Sequence, residues 1–178
     1  PKKIADNTAT LHHKEGIIQN PLVKYTDLNS STCRSDLAGG SCSYSAVICD
    51  GFQGYKIKIE TRSIYGLHSD PELALESAQE LYYSHDSFHI LHSGDTSFEM
   101  ESEIDSGTVK VHDKVEWRYQ KHNDKRIPYS LIIRLHYDRS SELLVLRLNE
   151  NKTCLIGRSK SNKKARIIAD NFEIPCQP

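Results

Sequence analysis

Several features are missing from this 178-residue chain, and each absence removes a class of function. The five cysteines, Cys33, Cys42, Cys49, Cys154 and Cys176, include no CxxC pair and form no Cys/His array at zinc-finger spacing, so they do not read as a structural metal site. The alternative is disulfide stapling in an oxidising compartment, which implies an exported protein. No stretch approaches the ~20 apolar residues that cross a bilayer. Pro1-Lys2-Lys3-Ile4-Ala5-Asp6 lacks the apolar region of a signal peptide, so export implies that a signal has been removed. Excess charge is missing too. With 23 Lys and Arg against 24 Asp and Glu, the net charge of -1 sets up no field to gather nucleic acid or an anionic membrane.

Signatures of catalysis are equally scarce. Gly-x-Ser-x-Gly, His-Glu-x-x-His and a P-loop do not occur, and Asp50-Gly51-Phe52-Gln53-Gly54 lacks the strand-to-helix setting of a nucleotide fingerprint. Glu101, Glu103 and Asp105 fall at a predicted turn, where carboxylates are ordinarily solvated. Asn29-Ser30-Ser31 and Asn151-Lys152-Thr153 match the glycosylation sequon, which matters only in a eukaryotic secretory route. The expectation is a protein that is not an enzyme and carries no cofactor.

What is present fits one α+β domain of mainly antiparallel sheet, a sandwich or open barrel-like arrangement with two short helices. The length suffices for a sizeable core, so bridges would reinforce it. Residues 1–22 are polar and aperiodic and read as a flexible arm, and residues 23–178 as the domain. Tyr25 to Ser31 reads as a turn or one helical turn, with Asp27 and Ser30 able to bond nearby amides. Tyr44 to Cys49 and the alternating Tyr55-Lys56-Ile57-Lys58-Ile59-Glu60 are predicted neighbouring strands. Residues 70–83 take helical spacing behind Asp70-Pro71. Ser93-Gly94-Asp95 and Asp105-Ser106-Gly107 are turn signals. Val115 to Tyr119, Ser130 to Tyr137 and Leu143 to Leu148 are strong strand patterns, and Leu143-Leu144-Val145-Leu146 is apolar on both faces, as a strand covered on both sides requires. Thr153 to Arg158 follows as a strand. Ser161 or Asn162 then caps a helix with Ala165, Ile168, Ala169 and Phe172 on one face.

Two side-chain groups stand out as candidate sites. His85, His89 and His92 would share a helical face and could hold Zn²⁺ or Cu²⁺, but the surrounding residues read as a strand, on which His92 points away from the other two. No metal site is therefore expected there. His12-His13 lies in the arm. In the three strong strands, alternation places Trp117, Leu131, Ile133, Leu135, Leu144 and Leu146 on one face and Glu116, Arg118, Arg134, His136 and Arg147 on the other. Three arginines beside a glutamate suit a carboxylate or phosphate. The same set also suits a self-compensating salt-bridge network, the commoner fate of cross-strand charges, and Glu116 and Arg118 can pair with each other. The basic run Arg158 to Arg166 reads as a solvated face.

Taken in order, Tyr25-Thr26-Asp27-Leu28, Cys33, Cys49-Asp50-Gly51-Phe52-Gln53-Gly54-Tyr55, Glu116-Trp117-Arg118, Pro128-Tyr129-Ser130-Leu131, Cys154-Leu155-Ile156-Gly157, Ala165-Arg166-Ile167-Ile168-Ala169-Asp170 and Pro175-Cys176 resemble a family of uncharacterised exported (periplasmic) proteobacterial proteins. The shared pattern is Cys…Cys-x-Gly-x-x-Gly-Tyr…Glu-Trp-Arg…Cys…Ala-Arg-x-x-Ala-Asp…Pro-Cys. Cys42 is extra to it, and residues 67–84 depart from it. The resemblance implies a periplasmic or secreted location and a pairing of Cys33 with Cys49 and Cys154 with Cys176, leaving Cys42 free; the residues alone leave the connectivity open. It implies no activity. The function expected is an exported binding or interaction module of the bacterial envelope, inhibitor-like in kind, with an envelope or extracellular protein or a small anionic ligand as partner. The alternative is an enzyme assembled around Glu116, Arg118 and Arg134, or a histidine-based metal-binding protein.

Overall fold

The computed structural model describes residues 16–35, 44–62, 80–81, 87–92, 95–101, 109–137, 139–149 and 152–178. In chain order these form β1 (Leu22–Asp27), β2 (Cys33–Ser35), β3 (Tyr44–Asp50), β4 (Tyr55–Arg62), β5 (Glu80–Leu81), β6 (Ser87–His92), β7 (Asp95–Glu101), β8 (Val109–Val111), β9 (Lys114–His122), β10 (Lys125–Tyr137), β11 (Ser140–Arg147), β12 (Cys154–Ser159) and a helix, α1 (Asn162–Ala169). Every strand pairing is antiparallel. One sheet runs β1-β9-β10-β11-β12, with β8 and β5 continuing beside β10; the other runs β2-β3-β4-β6-β7. Neither closes into a barrel.

The alternation of apolar residues decides which face of each strand is dry. Val47, Cys49, Ile57, Ile59, Phe88 and Ile90 of the second sheet pack against Trp117, Leu131, Ile133, Leu135, Leu144 and Leu146 of the first, and these pairs make the main core. The opposite face of the first sheet is also covered. Ile132, Leu143, Val145, Cys154 and Ile156 pack beneath Ala165 and Ala169 of α1. The layers are thus sheet, sheet and helix, and β11 feeds both cores from alternate residues, as its doubly apolar sequence requires. Small residues set the helix close: a β-carbon at Gly157 would stand 3.0 Å from Ile168. Ser161 caps α1 by accepting a hydrogen bond from the Lys164 amide. No helix among the described residues is long and apolar enough to cross a membrane.

Trp117 sits where the two sheets meet. Its side chain is fully buried, its indole N–H donates to the Thr26 hydroxyl at 2.9 Å, and its ring lies against Phe52 and Tyr55. The Asp50 to Gly54 connection passes so close that a β-carbon at Gly51 would fall 2.6 Å from the indole ring and 2.7 Å from the Tyr55 carbonyl. Glycine is therefore a packing requirement there. At the β9–β10 hairpin, Asn123 and Asp124 adopt positive φ of 47° and 63°, the pair of left-handed residues that a tight two-residue hairpin uses.

Both bridges form. Cys33 and Cys49 face each other in register on β2 and β3, and Cys154 of β12 joins Cys176. Gln177, just beyond, donates to the Leu155 carbonyl at 2.7 Å. Cys42 lies outside the described residues.

Local signals were overridden in three places. Tyr25 to Asp27, expected in a turn, belong to β1, because six consecutive residues pair with β9. The turn falls later, and Asn29 rather than Asp27 or Ser30 supplies the side-chain acceptor, for the Ser31 amide at 2.9 Å. Glu80–Leu81, expected at the end of a helix, form β5 by pairing with β8; residues 70–79, 82–83 and 105–107 lie outside the described set. Backbone pairing also starts before Val23: the Ile18 amide donates to the Asp170 carbonyl at 2.8 Å, and the Phe172 amide to the Gly16 carbonyl at 3.1 Å. Replacing Trp117 by Ala should cost ~3–5 kcal/mol through lost burial and a residual cavity. A shift of the denaturant midpoint measures this, and a near-neutral change would mean that Trp117 is not the centre of the core.

Candidate functional site

The charged face expected on β9, β10 and β11 is where α1 sits. Glu116 and Arg118 are two residues apart on β9, about 6.6 Å along an extended strand, and Arg166 and Asp170 are four apart on the helix, about 6 Å along its axis. The two spacings match, so opposite charges meet twice. Arg118 donates from Nε to Asp170 Oδ1 at 2.9 Å and from a terminal nitrogen to Oδ2, a two-pronged grip, while its other terminal nitrogen reaches Glu116 at 3.0 Å. Arg166 closes on the same Glu116 carboxylate through Nε at 3.0 Å and a terminal nitrogen at 2.9 Å, and donates to the Tyr25 hydroxyl at 3.1 Å.

Below this pair the end of the helix is held by further donors. Tyr129 donates its phenol to Asp170 Oδ1 at 2.7 Å, and Ser130 its hydroxyl to the Ala169 carbonyl at 3.0 Å. Arg147 donates to the Ala169 and Asn171 carbonyls and lies 4.2 Å from the centre of the Phe172 ring. Cations placed at the carbonyl end of a helix also meet the favourable end of its dipole. The other end of α1 is gripped by Arg134, which donates to Asn162 Oδ1 at 2.8 Å and to Ser141 Oγ at 2.9 Å.

Arg118 is only 4 % exposed, Arg147 5 % and Asp170 8 %. Burial works against the Arg118 charge, but the hydrogen bonds and charge of Asp170 outweigh it and raise its pKa. For Arg147 burial prevails and the pKa falls. Burial first, then the bond to the Asp170 carboxylate, pushes the Tyr129 phenol far up. Its proton stays in place at any ordinary pH, so the phenol is a fixed donor. Chemically, the cluster holds charges still and orients a helix.

Of the five residues singled out on this face, Glu116, Arg118, Arg134 and Arg147 all bind α1 or the segment after it. His136 stands apart: its Nε2 lies 2.9 Å from Nδ1 of His112. Asp170, Arg166 and Tyr129 were not singled out as site residues. The usable signal was the i, i+4 pair Arg166/Asp170 on the helix, matching the i, i+2 pair of opposite sense on β9. In the other group, His89 Nδ1 faces Glu99 at 3.9 Å and His92 stacks on Tyr55, on opposite faces of β6. His85, His12 and His13 lie outside the described residues. Among the described residues, no three or more His, Cys, Asp or Glu side chains are grouped so as to hold a metal ion.

The chain matches no protein-family model, no curated protein and no solved structure.

Replacing Asp170 by Ala strands the buried Arg118 charge and should cost ~3–5 kcal/mol. The double change Asp170→Ala with Arg118→Met should cost less than Asp170→Ala alone, since no uncompensated charge is left. Unfolding midpoints of Asp170→Ala, Arg118→Met and the double change test this, and additive losses would contradict it. The Tyr129 phenol predicts a second effect. A raised folded pKa gives stability that is complete below the unfolded tyrosine value of about 10 and falls as pH rises above it, by ~1.4 kcal/mol per pH unit. Burial, with the charge of Glu142 adding, raises Tyr137 as well, so Tyr129→Phe should lower the alkaline slope by one proton and leave a remainder. Identical slopes for the two proteins would contradict the assignment.

Proposed function

We propose that this chain is an exported binding module of the bacterial envelope, inhibitor-like in style, which recognises a partner protein through the free edge of β1. The two disulfides support an oxidising compartment, and the resemblance of the ordered motifs to those of exported proteobacterial proteins suggests a periplasmic or secreted one.

The observation that carries the proposal is where the large exposed apolar side chains lie. Among the described residues these are Ile17, Leu22, Val23, Tyr25 and Ile167: all on β1, just before it, or on α1. Hydrogen bonds and strand register connect most of this region. Tyr25 touches Arg166, the neighbour of Ile167; Val23 is in register with Arg118, which grips Asp170; and the residue after Ile17 donates to the Asp170 carbonyl. Grouped apolar surface of this kind marks recognition sites more often than scattered surface does.

The backbone adds direction. Leu28 donates to the Asp113 carbonyl in continuation of the β1–β9 ladder, so the even-numbered residues of β1 bond inward to β9. Val23 and Tyr25 then turn their amides and carbonyls outward, and none of the described residues pairs with them. An extended segment of a partner can add there as a further strand, with its side chains against Val23 and Tyr25. Lys24, exposed in the middle of this edge, discourages pairing between two copies and favours a partner that brings an acid.

The test is capture from envelope extract on the immobilised, oxidised domain, wild type against Val23→Pro. Proline removes an outward amide without touching the ladder to β9. A discrete species should be retained in stoichiometric amount by the wild type and lost by the variant, with the unfolding midpoint little changed. Retention by both, or by neither, would overturn the proposal.

A further inference from the structure

We infer that the outward face of α1, with Lys160 just before it, rests on an anionic phospholipid surface, a role separate from the β1 edge and independent of any protein that adds there. The near-zero net charge of the chain is the sum of two opposite parts. Residues 1–108 hold 8 Lys and Arg against 16 Asp and Glu, and residues 109–178 hold 15 against 8. Strands β8 to β12 and α1 come from the second part, so the excess base is gathered on them and their connections. It is densest around the helix. From Asn151 to Ala169 there is no acid, but there are Lys152, Arg158, Lys160, Lys163, Lys164 and Arg166.

Arg158 is paired with Glu142 and Arg166 with Glu116, whereas Lys160, Lys163 and Lys164 are exposed and meet no carboxylate among the described residues. Folding gains nothing from the last two. They stand in the first turn of α1, where the helix dipole favours acids and none is present. The helix turns Ala165 and Ala169 to the sheet, and Ile167, 57 % exposed, away from it. Lys163 and Lys164 precede Ile167 by four and three residues, the spacings at which side chains meet on one helix face. An exposed isoleucine among lysines separates two kinds of anionic partner. A soluble polyanion leaves it in water, whereas a bilayer takes the apolar side chain below its headgroups while the ammonium groups stay level with the phosphates. Because Arg118 to Asp170 and Arg166 to Glu116 already fix α1 on the sheet, no ordering of the helix is needed on contact.

The experiment is co-sedimentation of the oxidised full chain with lipid vesicles. The wild type should bind phosphatidylglycerol vesicles and not phosphatidylcholine vesicles, and should be released as salt rises. Each basic side chain near an anionic leaflet strengthens binding about five-fold, so K163Q/K164Q should weaken it by about 25-fold. The control is K121Q/R126Q. It removes the same charge from the β9–β10 hairpin, where the two residues oppose each other on the face that Trp117 and Tyr119 turn to the second sheet, and it should bind as the wild type does. Ile167→Ser should weaken binding several-fold. Ile167→Trp should show blue-shifted emission with phosphatidylglycerol vesicles, a signal distinct from that of Trp117, which is already buried. Equal losses in K163Q/K164Q and K121Q/R126Q would overturn the inference in favour of net charge alone. Long-chain polyphosphate bound as tightly as the vesicles, with Ile167→Ser unchanged, would overturn it in favour of a soluble polyanion. A wild type that binds neither kind of vesicle, or both alike, would overturn it as well.

Discussion

A guanidinium taken out of water costs several kcal/mol unless its donors are met by fixed acceptors, and that requirement at Arg118 organises one whole side of this protein. Two prongs go to Asp170 and one to Glu116. Asp170 is supplied by the residue that ends α1, so the helix must stop where it does and lie across β9 at one height. Glu116 in turn needs a second cation, which comes from Arg166 one turn earlier. The rest is support: Tyr129 completes the Asp170 carboxylate, and Arg147 and Ser130 cover the carbonyls left open at the helix end. Replacing the set by apolar residues would leave α1 free to slide over a smooth sheet, so the charges contribute register more than strength.

The arrangement divides labour between the two faces of the first sheet. Toward the second sheet the contacts are apolar and centred on Trp117. Toward α1 a small apolar patch around Val145 and Ile156 is bordered by ion pairs. Tyr25 links that network to the outer edge: it lies on β1 and bonds both Glu116 and Arg166. The edge strand is therefore held in place by the same charges that seat the helix.

Much of the fold was legible because period alone specifies it. The alternation in Tyr55 to Glu60 and in Ser130 to Tyr137, the two-faced apolar run at Leu143 to Leu146, and the Ser161 cap each correspond to an element in place. Which face was charged was also legible, from Glu116, Arg118, Arg134 and Arg147 alternating with core residues. That this face lies under a helix was not, because the partners Arg166 and Asp170 are some fifty residues away and only three-dimensional pairing brings them back. Tyr25 to Asp27 misled for a similar reason: turn-forming residues can be carried in a strand when a neighbouring strand supplies the hydrogen bonds.

The two disulfides close short loops, with separations of 16 and 22 residues, and each stays within one sheet or between a strand and the tail beside it. Neither joins the two sheets. In a chain that crosses a membrane with its N-terminus leading, the Cys33–Cys49 crosslink can be sealed while the last hundred residues are still on the other side. The Cys154–Cys176 crosslink can then form without unpicking the first. In such a crossing oxidation would follow the direction of travel, and Cys42 is the one other cysteine that the sequence places in the first half beside the early pair.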